Sequence, residues 1–224
     1  MLHRARDLFV RQRTQLINAL RAHLAELGLV AATGVDGLKS LLVIIDKAVE
    51  SRQLPEPMLQ ALQTLVAQLA ALQAQIGTLE RGIHTQHKAS EASQRLENIP
   101  GIGVIGATAI AATVTDPSAF KSGRELAAWI GLVPRQHSTG GKQKLGGISK
   151  QGDRYIRRLL VVGATAVIQQ ARRHPEKHPW LMKLLAKMPA KKVAVALANK
   201  MARIAWAILA KGETYRAPAL AAPA

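Results

Sequence analysis

Between residues 134 and 158 the chain reads PRQHSTGGKQKLGGISKQGDRYIRR, with seven Lys or Arg, one acid, two serines, one threonine and one histidine. A hydroxyl that attacks a phosphodiester needs access, and it needs cations to neutralise the charge that develops. Ser138, Thr139 and Ser149 offer hydroxyls, while Lys142, Lys144, Lys150, Arg154, Arg157 and Arg158 offer cations. Gly140, Gly141, Gly146 and Gly147 leave the backbone pliable around them. On chemistry alone, a phosphate-binding loop without catalysis fits as well as a nucleophile does. The stretch is not a P-loop, because the order G-x-x-x-x-G-K-[ST] is missing. His137 stands beside the hydroxyls as a candidate general base, with an ordinary exposed loop histidine as the plainer reading.

A second motif, IPGIG at 99–103, precedes a run of small apolar residues. Glycines let a backbone approach a phosphate closely, and free N–H groups at the start of the next helix bind its oxygens. Gly101, Gly103 and Val104 would supply those amides in a helix-hairpin-helix, a sequence-blind grip on DNA. The competing reading is a tight turn between two helices with no ligand. His174 and His178 have the spacing of a metal pair, but Pro175 between them breaks the helix and no third ligand is evident, so no metal site is read in the chain. Trp129, Trp180 and Trp206 read as core residues rather than base-stacking platforms.

The charge supports a polyanionic partner. Of the 224 residues, 1–120 hold 11 Lys or Arg and 10 Asp or Glu, whereas 121–224 hold 20 and 4. The halves therefore carry net charges of +1 and +16, which sum to the chain's +17. A basic half of this kind points to nucleic acid, with DNA as the expected partner. An anionic membrane surface is disfavoured because the basic helices lack an aromatic face. With no cysteine, disulfides, thiolate catalysis and Cys-type zinc sites are excluded. The charged start MLHRARDLFVRQR lacks the apolar core of a signal peptide. The best apolar run, 159–168, is about half of what a membrane span needs. A cytoplasmic, nucleoid-associated location fits these features.

The elements that must position these groups read as helices. Apolar residues make up 48% of the chain and aromatics only 3%, so Leu, Ile, Val and Ala must build the core, a composition that leans helical. Leu8, Leu16, Leu20, Leu24 and Leu27 mark a helix over 3–27 stopped by Gly28, and a short helix follows over 38–49. Over 58–83, Met58, Leu62, Leu65, Leu69, Leu72, Ile76, Leu79 and Ile83 alternate spacings of four and three, the a/d seam of a coiled coil. That seam predicts either packing within the chain or a dimerising arm. Residues 85–94 continue the helix. Further helices are read over 120–130, 154–173, 180–187 and 191–211, with a long loop over 134–152 and no strand. The fold class is all-α: a helical region with a coiled-coil arm (1–95), a compact helical domain containing the helix-hairpin-helix (96–215) and a loose tail (216–224).

The order IPGIG, then TDPSAFKSGRELAAWIGLVPRQHSTGGKQKLGGISKQGDRYIRRLLVVGA, then ALANKMARIAWAIL, resembles the insertion-sequence transposase family that includes the Piv/MooV invertases. The resemblance is close over 96–215 and extends to the helical segment before it. It implies DNA transposition or recombination in two catalytic parts. An N-terminal domain similar to the RuvC resolvases would hold a divalent metal, expected to be Mg, on four acidic residues. The C-terminal domain would supply a serine that links covalently to DNA. The resemblance also implies self-assembly through the helical arm and, in some members, a guide RNA. The acidic cluster is absent here, so the chain reads as the C-terminal part of such an enzyme, without a cofactor of its own and with its own catalysis in question. Family members place the serine before a glycine, five residues after the proline of GL-x-P. Counted from Pro134 that position is Thr139, with Ser138 beside it, so Ser138 and Thr139 are the candidate nucleophiles, Ser138 first, and Ser149 trails as a turn cap.

Overall fold

The computed structural model describes residues 1–34, 36–51, 54–139 and 142–216, and for 137–139 and 142–145 the backbone only. The chain divides into two compact units, Met1–Ile83 and His84–Ala224. Helices dominate both, as the composition predicts.

In the first unit, α1 (Leu2–Glu26), α2 (Gly37–Glu50) and most of α3 (Glu56–Ala89) share one core. Their leucine stripes meet there: Leu20 and Leu24 from α1, Leu41 and Ile45 from α2, Leu62 and Leu69 from α3. Gly28, in the left-handed region at φ +78°, ends α1 where the sequence places the stop. Arg6 Nη2 and Nε donate to Glu80 Oε1 at 2.6 and 2.8 Å, tying the start of α1 to the far part of α3. The heptad seam is therefore covered within the chain: Leu62, Leu69, Leu72 and Ile76 are buried, and only its first position, Met58, is well exposed among those described. Leu8, assigned to the inner stripe of α1, is 43% exposed. The expected continuation of α3 through residue 94 does not occur. Ser90 takes an extended conformation after Ala89, and its Oγ accepts from Ser93 N at 3.2 Å, so a serine N-cap starts a new helix.

The second unit holds α4 (Glu91–Glu97), α5 (Val104–Thr113), α6 (Gly123–Trp129), α7 (Arg154–Arg173), α8 (Pro179–Lys187) and α9 (Ala190–Lys211), with single 3-10 turns at Pro117–Ala119 and Pro175–Lys177. α9 is the central element, packed against α4, α6, α7 and α8. It buries Val193, Leu197, Met201, Ala205 and Ile208, while α7 contributes Ile156, Leu160, Val167 and Ile168 to the same core. By length and composition α9 is long and apolar enough to cross a membrane, although its lysines and Arg203 interrupt every long apolar run. Its apolar face lies instead in the core of this unit, as in a central core helix.

The 134–152 segment is a correction to the sequence reading. It forms an antiparallel hairpin, β1 (Pro134–Thr139) with β2 (Lys142–Ile148), rather than a loop. Pro134 pairs with Ile148 and Gln136 with Leu145, so Gly146 and Gly147 together oppose Arg135 in a bulge. β1 is polar after Pro134, and β2 carries only Leu145 and Ile148 as large apolar residues, so the alternation that betrays a strand is missing. The available signal was Gly140-Gly141, a two-residue spacer of hairpin type.

Candidate nucleic-acid interface

The hairpin root is built from short, committed contacts. Gly131 (φ +80°) and Gly152 (φ +70°) lie in the left-handed region where the segments entering and leaving the hairpin cross. A Cβ on Gly131 would collide with Gln151 O, and one on Gly152 with Trp129 O. Ser149 N donates to Val133 O at 2.8 Å and Lys150 N to Gly131 O at 3.2 Å. Asn199 Nδ2 on α9 donates to Leu132 O at 3.2 Å. Arg157 Nη1 donates to Ile130 O and Gln151 O, both at 2.6 Å. Asp153 then caps α7, its Oδ1 accepting from Tyr155 N and Ile156 N at 2.8 and 2.9 Å. A carboxylate at this end also suits the positive end of the helix dipole.

This base presents the two candidate nucleophiles at the end of β1. Ser138 is paired opposite Gln143 and Thr139 opposite Lys142, with His137 opposite Lys144. The side chains of these three, and of Lys142 and Lys144, lie outside the described residues, as do Gly140 and Gly141. Ser149 does not act as a cap: its Oγ is enclosed with no hydrogen-bond partner among the described residues, and Asp153 does the capping.

The cations named from sequence fall into different roles. Lys150 and Arg154 are exposed at the hairpin root and the start of α7, and neither forms an ion pair among the described residues. Lys150 holds a left-handed φ of 58°, unusual for a residue with a side chain. Arg158 is exposed, with its guanidinium 5.3 Å from the Tyr155 ring centroid. Arg157 turns inward and braces two carbonyls.

The IPGIG turn joins α4 and α5, which pack together. Its glycines serve separate ends. Gly101, at φ +89°, packs on Gly163 of α7, where a Cβ on either residue would strike the other's carbonyl. Gly103 is exposed, has open space around it, and precedes α5 without any side-chain cap. Val104 begins that helix, so the first-turn amides sit where an anion is favoured. The contact at Gly163 lies about 14 Å along α7 from Arg154, at 1.5 Å per residue. One rigid helix thus spaces the turn from the basic hairpin root.

Among the described residues no three of His, Asp or Glu gather in a group suited to a metal. Two of the three tryptophans depart from the core role read from sequence: Trp129 and Trp180 are each 42% exposed, while Trp206 is half-buried and donates from Nε1 to Pro117 O at 3.1 Å. The hydrophobicity of an indole does not distinguish a core from a rim position.

Residues 93–179, which include the turn, the hairpin and all of α7, match the family described as transposase IS116/IS110/IS902. Over 96% of its length the chain is 47% identical to a putative transposase (y4pF/y4sB) of Sinorhizobium fredii and 46% identical to a probable family 20 transposase of Pseudomonas aeruginosa. It is 40% identical, again over 96% of its length, to the transposase for insertion sequence element IS1111A of Coxiella burnetii. The chain spans 56%, 64% and 59% of the lengths of these three transposases.

Proposed function

We propose that the chain acts in DNA transposition, with its second unit holding DNA and the β1–β2 hairpin offering a hydroxyl to the phosphodiester. The hydroxyl is that of Ser138 or Thr139, with Ser138 preferred because it is less hindered at Cβ. In this step Oγ forms a bond to phosphorus, the ester bond to the departing sugar oxygen breaks, and the hydroxyl proton passes to that oxygen, with His137 as the intermediary base. The exchange conserves one phosphodiester, so it needs no external energy. Lys142, Lys144, Lys150, Arg154 and Arg158 neutralise phosphates around the hairpin, and the amides of Gly103 and Val104 take a phosphate farther along α7.

The observation that carries this reading is the anchoring of a polar, hydroxyl-bearing hairpin on a rigid basic root inside the segment matched by the transposase family. A divalent metal such as Mg would be held by an acidic domain related to the RuvC resolvases rather than by these residues. DNA, a guide RNA and further copies of the chain are the partners under the same proposal, as is kinship with the site-specific invertases. The setting would be the bacterial cytoplasm.

The test is to trap a covalent protein–DNA adduct on a labelled donor junction with a complete transposase that carries this segment. Loss of the adduct in Ser138→Ala but not in Thr139→Ala assigns the nucleophile, and the reverse pattern assigns Thr139. DNA binding without any adduct, in a transposase that still moves its element, would leave only a non-catalytic nucleic-acid-binding module.

A further inference from the structure

Outside the hairpin and the IPGIG turn, α6, α8 and α9 meet around a recess of about 750 Å³. Its walls include Ser122, Arg124, Trp180, Lys200, Arg203 and Trp206. Three of these are cations, and among the described residues no carboxylate lines the recess. Arg124, Lys200 and Arg203 form no ion pair among the described residues. The nearest acid in sequence, Glu125, is engaged elsewhere, accepting from Lys121 N at 2.6 Å.

The geometry is fixed rather than incidental. Gly123 lets α6 meet the α9 backbone, since a Cβ there would stand 2.8 Å from Arg203 O, and this sets Arg124 beside Arg203. Trp206 is pinned by its bond to Pro117 O. Asn199, also on the wall, holds the segment that enters the hairpin through Leu132 O. Trp180 is 42% exposed, and Lys200 Nζ rests 4.3 Å from its ring centroid.

We propose that this recess binds a single-stranded nucleic-acid segment, with a base stacked on Trp180 and the backbone phosphates at Arg124, Lys200 and Arg203. A base that takes the indole face occupied by Lys200 releases Nζ to a phosphate of the same strand. The volume is that of small-molecule sites, enough for a nucleotide or two and too small for a duplex. Bases inside a duplex are already stacked on one another, so an exposed indole selects unpaired ones. An acidic peptide would use the cations but leave the aromatic face without a role. The inference rests on the reading that this unit holds nucleic acid, and it is independent of the hairpin hydroxyls.

The test uses the intact chain with labelled oligo(dT) and oligo(rU) and a DNA duplex of equal length, read by fluorescence anisotropy. Trp180→Ala should weaken at least one oligonucleotide roughly five- to a hundredfold, the range of one base–aromatic stack, while duplex affinity holds within about twofold. Which oligonucleotide loses more identifies DNA or RNA as the ligand. Trp180→Phe should keep binding within about threefold, separating a stack from packing. The double variant Arg124→Gln, Arg203→Gln should lower the salt slope for the oligonucleotide by about 1.4, at roughly 0.7 per phosphate contact. Unchanged oligonucleotide binding in Trp180→Ala, equal losses for oligonucleotides and duplex, or polyglutamate competing as well as oligo(dT) would each overturn the inference. Loss of the broader reading looks different: duplex binding would be indifferent to salt whatever stands at 180.

Discussion

Arg157 and Arg154 are one helical turn apart on α7 and look equivalent in sequence, yet Arg157 braces two carbonyls while Arg154 stands exposed. Replacing Arg157 with alanine removes two charged hydrogen bonds of 2.6 Å, one to the partly buried Ile130 carbonyl and one to the exposed Gln151 carbonyl. The first is worth about 1.5–3 kcal/mol and the second, in solvent, about 0.5–1 kcal/mol, so the variant should lose about 3 kcal/mol. For a unit of this size that lowers the melting temperature by roughly 10 °C. Arg154→Ala should leave melting unchanged and reduce the salt slope of duplex binding by about 0.9, one phosphate contact. The assay pairs thermal melting by circular dichroism with anisotropy titrations in increasing salt. If Arg157→Ala melts with the parent and loses only DNA affinity, the inward brace is not what holds the hairpin root.

Other consequences are as specific. Gly163→Ala should destabilise the second unit by at least about 2 kcal/mol, seen as a lower denaturant midpoint, because its Cβ strikes the Gly101 carbonyl rather than a movable side chain. Leu69→Ala should cost about 2–5 kcal/mol in the first unit. In sedimentation, a change at the seam such as Leu69→Lys should unfold that unit rather than convert a folded dimer into folded monomers. His3 has its pKa lowered from 6.5, first by burial and then by the positive N-terminus and Arg6. The unfolded chain therefore binds the proton more readily, so the first unit should lose stability as pH falls below about 6.5, and His3→Gln should flatten that acid-side loss in a pH series of melts.

How much was legible in the sequence follows from what each residue type signals. The leucine stripes of α1 and α3 and the capped start of α7 at Asp153 are patterns of period and cap, and their helices lie where those patterns place them. The strands of the hairpin were not legible from periodicity, because Gln136, His137 and Ser138 pair with Leu145, Lys144 and Gln143 with no apolar alternation to mark a strand, and only the Gly140-Gly141 spacer hinted at the turn. The seam of α3 showed that a partner helix must exist, but periodicity cannot say whether that partner belongs to the same chain. Charge pointed to the basic half and to Lys150 and Arg154, yet it could not separate them from Arg157, whose role depends on two carbonyls distant or turned away in sequence. The recess at Trp180 brings together residues from 122 to 207 and is visible only once α6, α8 and α9 are packed.

The most direct test of the account is the affinity of the intact chain for duplex DNA as salt rises from about 50 to 200 mM. A unit that neutralises six or more phosphates should lose affinity by roughly 10³ or more over that range, with a linear slope in log salt. A flat response would contradict the claim that the basic unit holds DNA.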